Sequence, residues 1–104
     1  MINKYFATYV ATAIDEINKF CGKSFYYGEI ELPNSIEAFK IWERGPIADP
    51  NADYVCVVLE PVHQNVKLSF CSPSKPSLDK EKTIAGSEFS ANPLDSFLKQ
   101  VFQF

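Results

Sequence analysis

Two runs narrow the fold of this chain more than anything else in it: "DYVCVVLE" at 53–60 and "NVKLSFC" at 65–71, separated only by "PVHQ". Apolar residues alternating with period two mark a half-buried strand, and two such runs around a short polar stretch mark a hairpin. One register keeps both apolar sets together. With Leu59 opposite Val66, the side chains of Val55, Val57 and Leu59 lie against Phe70, Leu68 and Val66. A slip of one residue would set those valines against Lys67 and Ser69, so the pattern selects its own pairing. Tyr54, Cys56 and Val58 then face the opposite side of the sheet, beside Ser69 and Cys71, and Pro61 to Gln64 close the turn.

The flanks supply the rest of the architecture. Residues 3–21 read as an amphipathic helix, because Phe6, Tyr9, Val10, Ala13, Ile14, Ile17, Phe20 and Cys21 recur at spacings of three and four. Asn3 is the expected N-cap and Gly22 the residue that ends the helix in a left-handed conformation. Lys4, Thr8, Asp15, Asn18 and Lys19 form its polar face. "KSFYYGEIEL" (23–32) reads as a strand in which Ile30 and Leu32 alternate with Glu29 and Glu31, one face buried and the other carrying carboxylates.

The run "IEAFKIWERG" (36–45) fits two descriptions. Asn34 with Glu37 matches a helix capping box. Phe39 and Ile41 alternating with Lys40 and Trp42, after Pro33-Asn34-Ser35, match the second strand of a hairpin, and the hairpin logic favours a strand. "RGPIADPNAD" (44–53) is a loop. Residues 72–92, rich in Ser, Pro and Lys, read as a long loop with a short strand at Thr83–Ala85. "NPLDSFLKQVFQF" closes the chain as a helix, with Asn92 as cap, Pro93 in its first position, and Leu94, Phe97, Leu98 and Val101 as its buried stripe. The expectation is one α+β domain over residues 1–104: an antiparallel meander of three to five strands, with the N-terminal and C-terminal helices packed on one face.

Composition bears on function mainly by exclusion. The net charge is −3, and it is uneven: nine acids face five bases in residues 1–60, four face five in residues 61–104. An acidic first half argues against a phosphate-backbone ligand, which needs clustered Lys and Arg. Only four glycines occur, none clustered, so no phosphate-cradling loop is present. Thr8, Thr12, Asp15 and Glu16 interrupt the N-terminal apolar run, which argues against a signal peptide, and no stretch has the length of a membrane span. Three cysteines, Cys21, Cys56 and Cys71, form no CxxC pair; with one histidine they make neither a disulfide framework nor a zinc site. Reduced thiols in a cytoplasm are the expectation, with Cys21 in the core.

Side chains that could carry chemistry are few. His63, the only histidine, stands in the hairpin turn three residues after Glu60, without a third group to orient it; a catalytic base needs positioned partners. Cys56 and Cys71 share a sheet face, diagonal to one another, where packing is the commoner role and a redox pair the sharper one. The carboxylates Glu29 and Glu31, extended by Glu37 or Glu43, could hold a metal ion, line a solvated face, or meet the Lys and Arg of a protein partner, with Tyr26 or Trp42 as an aromatic anchor. The last alternative sets the functional expectation: a small acidic binding protein, without cofactor, that neutralises a partner of basic surface by occluding it, in the manner of an immunity protein acting on a toxin or nuclease. The rivals are a small enzyme using Cys56, Cys71, His63 or Glu60, and a self-associating structural or chaperone-like subunit.

Overall fold

The computed structural model describes residues 5–33 and 37–104. Helix α1 (Phe6–Cys21) leads into five strands, β1 (Phe25–Glu31), β2 (Glu37–Glu43), β3 (Tyr54–Glu60), β4 (Asn65–Cys71) and β5 (Lys80–Ala85), and helix α2 (Ala91–Phe102) follows. The strands form one antiparallel sheet in the order β1-β2-β3-β4-β5, an uninterrupted meander. Both helices cover one face of it, giving the α+β fold that the patterning implies.

The β3–β4 pairing has the register that hydrophobic matching demands: Val55 opposite Phe70, Val57 opposite Leu68, Leu59 opposite Val66. These side chains are buried, joined in the core by Phe39 and Ile41 of β2 and Ile84 of β5. From the helices come Phe6, Val10, Ala13, Ile14 and Ile17, then Leu94, Phe97, Leu98 and Val101. Aromatic rings join the layers: Phe6 lies 5.6 Å from Phe39, and Phe102 meets Phe25 at 5.0 Å and Phe70 at 5.4 Å, both edge to face.

Several local expectations are corrected. Residues 37–43 are a strand, so the ambiguous run resolves as the hairpin logic has it; Asn34, Ser35 and Ile36, which include part of the expected turn, lie outside the described residues, as does Asn3, the expected N-cap. Gly22 ends α1 at φ 65°, the left-handed conformation a glycine adopts without penalty. Phe20 and Cys21, however, are exposed and not core. Ile17 is the last buried residue of α1; the stripe passes off the sheet there, and Asn18 takes over with a polar task described below. The long segment 72–92 is more ordered than its composition suggests. It contains 3₁₀ turns at Pro76–Leu78 and Gly86–Glu88, and β5 runs from Lys80, pairing with β4 from Phe70↔Lys80 to Asn65↔Ala85. Composition hides this because only Ile84 in β5 is buried, which leaves no alternating apolar signal. Finally, α2 starts one residue before Asn92: Ser90, in extended conformation, occupies the cap position, and Pro93 is the third helical residue, where its missing N–H is still one the helix would leave unpaired.

Candidate functional site

The sheet face turned away from the helices is the most chemically distinctive surface of the molecule. Strand register aligns its side chains in rows running across the strands. The first is Tyr26, Trp42, Tyr54 and Cys71, each directly opposite the next on successive strands. Tyr26 and Trp42 stack with planes 18° apart and ring centroids 6.4 Å apart. The indole crosses β1 above Gly28, where a Cβ would stand 3.4 Å from the ring, so the absent side chain leaves the space it lies in. Its Nε1–H donates to the Gly45 carbonyl at 2.8 Å, which fixes the ring's orientation. Beside this row the Lys40 ammonium sits 4.3 Å from the centre of the Tyr54 ring, a cation–π contact. Ile30, Ala38 and Val58 continue the apolar surface along the same face.

The two thiols belong to this face as well. Cys56 lies opposite Ser69 and Cys71 opposite Tyr54, so the cysteines are diagonal neighbours, both reduced and partly buried. Burial pushes the Cys56 thiol above its ordinary value, and nearby Cys71 adds to the shift while Lys40 opposes it. The Tyr54 phenol is raised chiefly by its hydrogen bond with the Cys71 side chain. Both effects disfavour the anionic forms. A thiol nucleophile needs the reverse.

The carboxylates occupy other ground. Because side chains alternate strictly along a strand, buried Phe25 carries Tyr27, Glu29 and Glu31 with it onto the helix side of the sheet. Ile30, expected on the buried face, is instead on the open one. Glu29 and Glu31 are exposed at the far end of β1, and Glu31 stands directly across from Glu37. Glu43 pairs with Phe25 at the other end of the hairpin and lines a cleft of about 390 Å³ with Arg44, Asp49, Asp53 and Phe102. The structure therefore brings Tyr26 to Trp42 and Glu29 and Glu31 to Glu37, keeps the two groups on opposite faces of one hairpin, and sets Glu43 apart. Among the described residues no group of three or more His, Cys, Asp or Glu is placed to hold a metal ion. His63 is exposed in the turn before β4.

Two features have no obvious signature in the sequence. Tyr54 completes the aromatic row, and the β2–β3 register alone brings it beside Trp42. Asn18, on the nominally polar face of α1, reaches β1 with both ends of its amide: Nδ2–H donates to the Phe25 carbonyl at 3.0 Å, and Oδ1 accepts the Phe25 N–H at 2.8 Å. Comparison of the chain with protein-family models, with curated proteins and with solved structures returned no match. No helix among the described residues is long and apolar enough to cross a membrane.

Proposed function

We propose that this is a small binding protein that acts by occupying the surface of a protein partner, its contact surface centred on the β1–β2 hairpin. One observation carries the reading: the row Tyr26–Trp42–Tyr54 lies on a sheet face that neither helix covers, with its central indole held in place by the Gly45 carbonyl. Preorganised Tyr and Trp side chains give large contact area for little lost conformational freedom and dominate binding energy at protein interfaces. Glu29, Glu31 and Glu37, exposed on the other side of the same hairpin, favour a basic partner by steering its approach. Neutralisation of a toxin or nuclease with a cationic cleft is the concrete form. The protonated state favoured at Cys56 speaks for a binding role over thiol catalysis.

The test is affinity capture from the native cell with wild-type bait and with bait carrying Tyr26→Ser and Trp42→Ala, both checked for retained fold by circular dichroism. Loss of the Trp42 anchor should weaken binding of the captured partner by at least about tenfold, since anchors of this kind contribute on the order of 2 kcal/mol or more. A partner bound equally by both baits would place its contact elsewhere and refute the surface. If the partner has an enzymatic activity, the wild-type protein should suppress it stoichiometrically.

A further inference from the structure

β1 ends the sheet on one side, and the backbone shows which of its groups are left over. The Arg44 N–H donates to the Ser24 carbonyl at 3.2 Å, which makes the even-numbered residues of β1 the ones bonded to β2. In an antiparallel ladder such residues alternate with residues whose N–H and C=O point away from the neighbour. Phe25, Tyr27, Glu29 and Glu31 are those outward residues. At Phe25 both groups are taken by the Asn18 amide, which stands where an added strand would begin. At Tyr27, Glu29 and Glu31 the outward groups have no hydrogen-bond partner among the described residues. An edge of this kind is a template for strand addition.

We propose that the β1 edge binds an extended segment of the protein partner as an additional strand, and that this segment carries Lys or Arg at alternate positions. The proposal rests on the protein-binding reading above and specifies its mode. Residues of an added strand that face Glu29 and Glu31 project to the same side of the sheet, with Cβ atoms roughly 5.5 Å from theirs. Residues between them project to the open face, beside Tyr26 and Ile30, and are apolar. The added strand thus meets both halves of the surface that the hairpin separates. Its charge follows from Glu31 and Glu37, which form a directly opposed like-charge pair whose repulsion a cation between or beside them relieves. The far edge of the sheet has the opposite character: Lys80 and Lys82 of β5 stand opposite Phe70 and Leu68, on the helix side, and repel such a segment. A second copy's β5 carries lysines at the matching spacing, but pairing of that kind repeats head to tail and extends into filaments.

The experiment is amide-resolved NMR with hydrogen exchange. The labelled protein is titrated with a synthetic heptapeptide of alternating Lys and Val, and with a peptide of the same composition whose lysines are contiguous. The alternating peptide should bind about tenfold more tightly, shifting and protecting the amides of Tyr27, Glu29 and Glu31. Glu29→Pro, which removes an outward N–H and leaves the β1–β2 ladder intact, should abolish this protection. If that variant fails to fold, Glu29→Lys with Glu31→Lys decides, by losing at least about tenfold in affinity. Undiminished binding to the variant that folds would overturn the proposal, as would equal affinity for the two peptides. Amides at β1 already protected without peptide, increasingly so at higher protein concentration, would show self-pairing and overturn it too. Shifts confined to Tyr26, Trp42 and Tyr54 would overturn the edge mode while leaving the binding face of the previous section standing.

Discussion

At the scale of the residue, Asn18 shows how one side chain can define an edge. An asparagine amide has a donor and an acceptor in a fixed plane, the same pair that a neighbouring strand would offer. Placed by α1 against Phe25, it satisfies both backbone groups of that residue where a further strand is absent. Replacing it with alanine leaves an N–H and a C=O partly buried without partners. Asn18→Ala should therefore cost about 1–3 kcal/mol, measured as a lower urea midpoint with unchanged slope. Asn18→Asp keeps the acceptor and loses the donor, and should fall between the two.

At the scale of the element, the proposed binding role sets stability against recognition in the β1–β2 hairpin. Glu31 and Glu37 face each other as a non-hydrogen-bonded pair, the closer of the two antiparallel pair types. Like charges there destabilise the sheet by about 0.2–1 kcal/mol and do no structural service that a neutral side chain could not. Glu37→Gln should consequently raise the denaturation midpoint at low salt, an advantage that shrinks as added salt screens the repulsion. The same substitution should weaken binding of a basic partner. A variant that gains stability and keeps full affinity would show that Glu37 takes no part in recognition. On the opposite edge, Lys67 bridges to Glu81 at 3.2 Å, so β4 and β5 carry a compensated charge pair where β1 and β2 carry an uncompensated one.

For the molecule as a whole, the two helices are one layer made from the two ends of the chain. α1 and α2 pack on each other and on the sheet, and the rings of Phe102 and Phe104 close over Phe25. Neither end of the chain can cover the sheet alone. A chain truncated after Ser90 would expose Phe25 and Phe70 along with the apolar side of α1, and should lose cooperative unfolding and bind a hydrophobic dye. Retention of a sharp thermal transition in that truncation would show that α1 and the sheet suffice as a folding unit.

Much of this was legible in the sequence, and what was not had a common cause. Local patterning by itself determined the two helices, the β3–β4 register and the α+β class, because each rests on which neighbours along the chain are apolar. It even determined that Tyr54, Cys56 and Cys71 share a face, since period two admits no alternative once the register is chosen. Tertiary structure alone decided which face of β1 looks inward. Ile30 and Leu32 suggested one phase, and the burial of Phe25 under Phe102 and Phe104 imposed the other. That choice put Glu29 and Glu31 on the face away from Trp42, while the β2–β3 register, a separate tertiary pairing, joined Tyr54 to the aromatic row. Pairing with β4 likewise gave β5 its strand, since its sequence buries only Ile84. Periodicity records what each segment could bury; the packing of distant segments decides which of those surfaces it does bury.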